Sequence, residues 1–536
     1  MTMLRPPGAL RWWTLAVVSV GTFMLMLDLS VVAVALPGIR GDLHASFSEM
    51  QWVFDAYALT LAAFLVISGS IADRRGRRAV FVVGLVVFTV ASLACGLADS
   101  IEVLNISRGV QGVGAAIMFA VGPALLGHEF HGKERAAAFS VFGAAVGIAA
   151  ATGPLIGGAL TSGPGWRWIF FLNVPVGLAT LLVALRRLRE SRLAHSAAPD
   201  FAGMAAFTVA LGALVLAIVR GNTDGWFSGS NIALYAVAGV GLVVFLALSR
   251  ARGENAMMDL RMFRNRTFVA LCAVTFLANA AGFPAIFIET SYLQSVLSNS
   301  AWEAGLRFLP LSLGMFVFGA LTGAMTNKVP FRIIMGVSQL ALAVALLLTH
   351  RGGPGDAWTA LLPSLVVMGA AFGLFQPTRA ALAIGVAEPA KAGVASGINE
   401  TFQQVGVALG IAVAGAFFEN RVADSFARSD AAASIGDKSH EVASAISAGA
   451  IEPAARSAGP ALRDQVLADG RHAFTEGFHQ AMTLCAAMAF TAAVIAFAFL
   501  RNKDLHESAL TGVPPELPAE DDAAAERSDS GTHRPS

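Results

Sequence analysis

Charge is scarce in this sequence. Asp, Glu, Lys and Arg make up 14% of its 536 residues, whereas a typical soluble domain has about 25%. Hydrophobic residues make up 56%, and the mean hydropathy is +0.65. This balance excludes an ordinary soluble domain and is typical of an integral membrane protein. The formal net charge is +1, which gives no indication of a nucleic-acid partner.

Cysteine is also scarce, and one nucleotide-binding motif is missing. Cys95, Cys272 and Cys485 lie in three different apolar runs, which predicts small buried side chains rather than disulfides or a metal site. No Gly-x-x-x-x-Gly-Lys-Ser/Thr loop occurs, so ATP-driven work by this chain is excluded. The ten histidines fall mostly in loops. An intramembrane enzyme or a receptor therefore remains only a remote alternative, and we expect no catalytic residue, metal or other cofactor.

Long apolar runs, by contrast, are abundant. A helix needs about 20 apolar residues to span a membrane, and fourteen runs qualify. The first run is too long for a signal-peptide core and has no small-residue cleavage site after it. The predicted fold class is therefore an all-α integral membrane protein. The predicted spans are 12–36, 51–72, 79–97, 103–126, 137–161, 168–185, 201–219, 231–249, 268–293, 304–325, 331–349, 359–379, 393–418 and 479–500.

Arginine shows which way the spans run. It is concentrated in loops that follow even-numbered spans, at 74–78, 186–192 and 250–266. The short loops after odd-numbered spans hold little more than Arg40, Arg220 and Arg351. Positively charged loops stay on the cytoplasmic side, so both termini are predicted to be cytoplasmic. A missed or additional span would invert this pattern along the rest of the chain.

The turn between the second and third spans carries the clearest motif. Its sequence, Gly69-Ser-Ile-Ala-Asp-Arg-Arg-Gly-Arg-Arg78, resembles the helix 2–3 loop of the major facilitator superfamily. A purely topological alternative, a basic turn that only fixes orientation, does not explain the acidic Asp73. The resemblance implies that Asp73 and Arg77 latch the cytoplasmic ends of two six-helix halves. The implied cytoplasmic gate consists of Gly69, Asp73, Arg74, Gly76, Arg77 and Arg78.

A weak internal repeat supports this division into halves. Shifting the chain on itself places the turn on Gly323, Asn327, Lys328 and Arg332, between the second and third spans of another six-helix block. Such repeats are typical of transporters whose substrate site lies between the halves. The predicted domains are an N-terminal six-helix half (1–186), a linker with two inserted spans (187–259), a C-terminal six-helix half (260–503) with an extracytoplasmic loop (419–478), and a disordered cytoplasmic tail (504–536).

Further motifs narrow the resemblance to the fourteen-helix drug:proton antiporter family. Leu27-Asp28-Leu-Ser-Val-Val-Ala-Val-Ala-Leu-Pro37 is similar to the family's helix-1 motif, and Arg108-Gly-Val-Gln111-Gly-Val-Gly to the superfamily's helix-4 motif. Trp166-Arg-Trp-Ile-Phe-Phe-Leu-Asn173-Val-Pro resembles the connection between helices 5 and 6. The fifth span resembles the antiporter motif, in which Pro154 would kink a helix at the boundary of the halves; close packing of small residues is the alternative. That motif's residues are Gly147, Gly153, Pro154, Gly157 and Gly158.

Four charged residues inside the spans are candidates for proton coupling or substrate binding: Asp28, Arg108, Glu289 and Glu400. Asp28 lies about 24 Å along its helix, in the outer half, where an acid is expensive unless it faces a cavity or binds a proton. Its alternative role is structural. Arg108 either pairs with Asp28 or extends to the outer headgroups. Glu289 and Glu400 either face the central cavity or contact water at a helix end, and Asp55 is predicted to be interfacial.

These patterns predict a proton-coupled exporter of small hydrophobic or cationic compounds, including antibiotics and dyes, that works by alternating access in the inner (plasma) membrane. The proton gradient would drive it without a cofactor. Its partners would be a small-molecule substrate, protons and membrane lipid, with the protein a monomer that works alone or with periplasmic and outer-membrane efflux partners. A dedicated metabolite exporter or a nutrient permease of the same superfamily is the alternative.

Overall fold

The computed structural model shows a chain built from helices. No strand occurs among the residues that it describes. The described residues are 8–130, 138, 141–142, 145, 149, 152–153, 155–191, 200–253, 256, 258, 260–325, 329–387, 392–436, 439–501 and 504.

The α-helices are numbered in chain order over the described part of the chain. They are α1 (Gly8–Leu43), α2 (Phe47–Arg75), α3 (Arg77–Gly96), α4 (Ile101–Glu129), α5 (Trp168–Phe171), α6 (Asn173–Arg187), α7 (Phe201–Asp224), α8 (Gly229–Arg252), α9 (Arg266–Ser295), α10 (Ala301–Arg307), α11 (Leu309–Met325), α12 (Phe331–Leu348), α13 (Leu362–Gly385), α14 (Ala392–Ala427), α15 (Asp430–Ile435), α16 (Ser439–Ser447), α17 (Ile451–Ser457) and α18 (Arg463–Phe499).

The predicted all-α membrane fold is confirmed. Twelve of the described helical segments are long and apolar enough to cross a membrane. The two other predicted spans are a shorter apolar helix and a span that the structure describes only in part. One is α2, whose apolar stretch covers Trp52–Leu65; the other is the fifth span, 137–161, of which the structure describes scattered helical residues and then 155–160. The N-terminal half is thus α1–α4, the fifth span and α5–α6; the C-terminal half is α9–α14 and α18, and α7 and α8 lie between them in the chain.

Several helices extend beyond the predicted spans because polar residues cap them. The Ser46 hydroxyl accepts from the Glu49 N–H at 3.3 Å, and the Glu49 carboxylate accepts from the Ser46 N–H at 2.8 Å. This capping box satisfies N–H groups that the helix itself leaves free, so α2 begins at Phe47 rather than near residue 51. The predicted loop 419–478 is also largely helical: α14 continues to Ala427, α15–α17 follow, and α18 begins at Arg463. Asn327, Lys328 and the tail from 505 lie outside the described residues.

The buried side chains form three clusters, which show where the halves meet. We call the side on which α1 begins the inner side and the opposite side the outer side. The outer core contains residues from both halves, such as Leu36 and Phe54 with Ile288 and Phe418. Toward the inner side, one core holds only N-terminal helices, and another joins the C-terminal half to Phe245 of α8. The halves therefore share one core on the outer side and have separate cores on the inner side.

Direct contacts close this outer seam. The Gln294 side-chain amide donates to the Val34 carbonyl at 3.2 Å, and the Trp302 N–H donates to the Ser162 hydroxyl at 2.9 Å. The rings of Phe54 and Phe287 meet edge to face, with centroids 5.9 Å apart. The structure is thus closed on its outer side.

The inner turn between α2 and α3 depends on one glycine. Gly76 has φ +111°, a backbone region that side-chain-bearing residues rarely adopt. A Cβ there would lie 2.5 Å from the carboxylate of Glu190. That carboxylate caps α3 by accepting from the N–H groups of Arg78 at 3.1 Å and Ala79 at 3.2 Å. Gly76 is therefore required both by its conformation and by the approach of Glu190.

We expect Gly76→Ala to lower the thermal stability of the purified protein, because the strained backbone alone costs about 1–3 kcal/mol. Gly69→Ala in α2 is the matched control, since a Cβ at Gly69 meets nothing within 4 Å. The melting temperatures of both variants in the same detergent test this expectation. Equal melting temperatures for the two variants would contradict it.

Candidate functional site

A buried ion pair lies in the N-terminal half. Arg108 of α4 donates through Nη1 to a carboxylate oxygen of Asp28 on α1. Asp28 is 3% exposed and Arg108 is 0% exposed. The guanidinium also donates through Nε to the Val53 carbonyl at 2.9 Å and lies 4.3 Å from the ring centre of Tyr57 on α2. One charged group thus joins α1, α2 and α4.

Amide side chains complete the surroundings of Asp28. Its Oδ1 accepts from the Gln111 amide at 2.9 Å and from the Asn173 amide at 3.1 Å. The side-chain oxygen Oε1 of Gln111 accepts from Arg108 Nη1 at 2.8 Å. Asn173, at the start of α6, also donates to Ser92 Oγ at 3.0 Å. This network holds Asp28 with donors from three side chains, the arrangement that makes a buried carboxylate tolerable.

A second buried ion pair lies in the C-terminal half. Arg379 of α13 donates to the Glu400 carboxylate of α14 at 2.9 Å and to the side-chain amide oxygen Oδ1 of Asn399 at 2.8 Å. The Gln404 amide donates to the other oxygen of Glu400 at 3.3 Å, and Asn399 donates to Thr275 Oγ1 on α9 at 3.0 Å. Glu400 is 5% exposed. The structure therefore gives Glu400 a cationic partner, which leaves no free negative charge there.

Two other buried acids have no such partner. Glu289 of α9 and Asp55 of α2 are both 0% exposed. Neither carboxyl oxygen of either residue has a hydrogen-bond partner among the described residues. The predicted interfacial position of Asp55 is therefore wrong. A buried carboxyl without a partner is costly when it is ionised, which distinguishes these two acids from Asp28 and Glu400.

The glycines of the fifth span lie where helices approach closely. A Cβ at Gly153 would lie 1.8 Å from Ser30 Oγ, and one at Gly157 would lie 2.9 Å from the Val31 carbonyl oxygen, both on α1 just after Asp28. A Cβ at Gly158 would lie 2.5 Å from the Ala301 carbonyl oxygen in the other half. Gly147 and Pro154 lie outside the described residues, so the predicted kink stays a prediction.

The gate residues form their described contacts with the N-terminal half and with the segment that follows α6. The Arg77 N–H donates to the Ser191 carbonyl at 3.0 Å, and its guanidinium donates to the Ala124 carbonyl at 3.4 Å. Arg78 donates to the Leu185 carbonyl at 2.6 Å. Gly69 lies within α2, and the side chains of Asp73 and Arg74 lie outside the described part of the structure.

Arg379 is the functional candidate that sequence reasoning missed. It lies at the inner end of the twelfth predicted span, where an arginine is expected simply from the positive-inside rule. A usable signal was the following span, which places Glu400 near its own inner start. Opposite charges at similar depth in consecutive antiparallel spans predict a pair. Gln111 and Asn173 both stand within motifs that the sequence analysis identified.

Comparison with known proteins identifies the family of this chain. The sequence model of the family described as Major Facilitator Superfamily matches residues 18–411 of this chain. The chain belongs to the Major Facilitator Superfamily. The matched region includes Asp28, Arg108, Glu289 and Glu400, and the superfamily's members are transporters rather than enzymes.

The relatives of this superfamily member are export and resistance proteins. It is 33% identical over 407 residues to the multidrug resistance protein Stp of Mycobacterium tuberculosis, covering 75% of each chain. It is also 33% identical over 525 residues to the tetracenomycin C resistance and export protein of Streptomyces glaucescens, covering 96% of each chain. The resemblance to multidrug efflux proteins is therefore confirmed.

A solved structure supports the fold. A bacterial homologue of the human lysosomal transporter Spinster, in an inward-facing and unoccupied conformation, aligns with a TM-score of 0.63 and 18% identity. The alignment covers 93% of this chain and 98% of that chain. At this identity it shows the major facilitator fold and nothing of the substrate.

The paired and unpaired acids should respond differently to neutral replacement. Asp28→Asn leaves Arg108 buried without its counter-ion, and breaking a buried pair in this way costs about 3–5 kcal/mol. Glu289→Gln keeps a neutral side chain of similar size and should change stability by less than about 1 kcal/mol. Thermal unfolding of both variants in detergent would measure the difference; a larger loss for Glu289→Gln would contradict it.

Proposed function

We propose that this protein exports small hydrophobic or cationic compounds across the cytoplasmic membrane in exchange for protons. The Asp28–Arg108 pair is the observation that carries the proposal, because an acid paired with arginine can exchange that partner for a proton. The names of the relatives, which include multidrug resistance and tetracenomycin C resistance and export, support drugs as the substrate class. One charge that crosses 100 mV supplies about 2.3 kcal/mol, enough to drive uphill export.

Proton binding at Asp28 would release Arg108. The guanidinium would keep its bonds to the Val53 carbonyl and to Gln111, while its attraction to α1 would be lost. Because Gly153 and Gly157 pack against α1 just beyond Asp28, a shift of α1 would be transmitted to the fifth span. The fifth span meets the other half at Gly158, so protonation could act on the seam between the halves.

Glu289 and Asp55 would bind protons in the outer-closed state. Asp55 directly follows Phe54, and Glu289 lies two residues beyond Phe287, whose rings meet across the seam. Opening the outer side would admit water to this region and favour ionised carboxylates. Protons taken up from the outside would in turn favour closure, which is the direction required for proton influx coupled to drug efflux.

During alternating access, the outer seam and the inner turn between α2 and α3 would open and close alternately. The separate inner cores support an inward-open state. Closure of the inner side would bring the turn between α2 and α3 against the C-terminal half. Both termini would be cytoplasmic in the inner (plasma) membrane. The protein would work as a monomer without a cofactor, alone or with periplasmic and outer-membrane partners.

Asp28→Asn should abolish most proton-driven efflux, because Asn cannot bind and release a proton. The measurement is drug transport in proteoliposomes with an imposed proton gradient, at matched protein content. Full transport by Asp28→Asn would show that Asp28 has only a structural role. Cys485→Ala, at a buried residue of α18 that makes no described contact with the Asp28 network, is the control.

The Arg379–Glu400 pair should influence the charge preference. Arg379→Gln frees the negative charge of Glu400 and should raise resistance to cationic relative to neutral drugs, whereas Glu400→Gln should lower that ratio. Growth of a hypersusceptible strain across paired cationic and neutral drugs, at matched membrane abundance, tests both. Equal changes for both drug classes would limit this pair to packing.

A further inference from the structure

A cleft of about 630 Å³ opens at the inner ends of α9 and α18. Its lining is strongly basic: Arg261, Arg264, Asn265, Arg266, Arg501 and Asp504. Four of these six residues carry a positive charge and one carries a negative charge. Arg264, Arg266 and Arg501 are exposed, so their guanidinium groups can reach a ligand at the inner membrane surface.

The cleft is held in shape by one hydroxyl group. Thr267 Oγ1 donates to Asp504 at 2.5 Å and accepts from the Arg501 N–H at 3.2 Å. Thr267 is 0% exposed. These two bonds attach the chain after α18 to the first turn of α9, so the arginines on the two segments face one space.

The Asp504 carboxylate already accepts a hydrogen bond from the Thr267 hydroxyl. None of the carboxylates that the structure describes forms an ion pair with Arg264, Arg266 or Arg501. The first turn of α9, a 30-residue helix, also points its positive end at this space. The cleft therefore carries an excess of positive charge suited to a phosphate group.

Apolar side chains continue from the cleft toward the membrane interior. Val269 is 40% exposed one turn after Arg266, and Phe499, two residues before Arg501, is 53% exposed. A ligand with a phosphate at one end and a hydrocarbon chain at the other would match both surfaces. Free phosphate would match only the arginines.

We propose that this cleft is a binding site for a phosphate group, and that an anionic phospholipid of the inner leaflet supplies it. Arg264, Arg266 and Arg501 bind the headgroup, and one acyl chain lies along Val269 and Phe499. This site is separate from Asp28 and Glu400, and it does not depend on the proposed efflux activity.

The test uses the full-length protein purified in detergent, with binding measured for phosphatidylglycerol, phosphatidylcholine and inorganic phosphate. The variant is Arg264→Gln combined with Arg501→Gln. The control is Arg250→Gln, an exposed arginine at the inner end of α8 that does not line the cleft. Each arginine near the membrane surface contributes about 1 kcal/mol to binding of anionic lipid, so the double variant should bind phosphatidylglycerol about thirtyfold more weakly.

Selective binding of phosphatidylglycerol by the wild-type protein and Arg250→Gln, with this loss in the double variant, would support the proposal. Equal affinity in all three proteins would overturn the site. Equal binding of phosphatidylcholine would overturn its charge selectivity. If inorganic phosphate at its physiological concentration fully prevented lipid binding, the ligand would be free phosphate, and the proposal that a lipid supplies the phosphate group would be overturned. A melting temperature of the lipid-free double variant within a few degrees of wild type would confirm that it is folded.

Discussion

The cost of burying charge governs this structure. An isolated ion in a low-dielectric interior costs several kcal/mol even after relaxation, and the chain meets this cost in two ways. Asp28 and Glu400 are paired with arginines and bonded by amides. Asp55 and Glu289 have no described hydrogen-bond partner and lie instead beside the apolar contacts of the outer seam. The helices must therefore pack so that each pair stays together, and this constraint fixes α1 to α4 and α13 to α14.

Both ion pairs lie within a half, and this placement decides which contacts can change. Breaking a buried pair costs about 3–5 kcal/mol, so each half favours keeping its own pair as it moves. The outer seam is different, because it consists of apolar side chains and a few hydrogen bonds such as Trp302 to Ser162. Water can replace those hydrogen bonds at little net cost. The seam is therefore the part of the molecule best suited to open and close.

Much of the fold could be predicted from the sequence, because the membrane imposes a minimum helix length and loop charge imposes an orientation. Helix ends were predicted less well: the capping box at Ser46 and Glu49 lies outside any apolar run. Asp28 could be identified because its depth made an acid expensive. Asp55 was placed wrongly because sequence position gives distance from a helix end but not the direction that the side chain faces. Arg379 was not predicted to be a functional residue, because the positive-inside rule already accounts for an arginine at the inner end of a span.

In the proton-coupled cycle that we propose, the partnered and unpartnered acids would act in different ways. Asp28 would keep Arg108 as its half moves, and would give up this partner only on binding a proton. Glu289 and Asp55 depend instead on whether water reaches the seam, since neither has a described donor to stabilise the ionised form. Opening the seam would then change their charge without breaking an ion pair. A proton that neutralised them would favour closure, so in the proposed cycle the apolar contacts that seal the outer side would also couple it to the proton gradient.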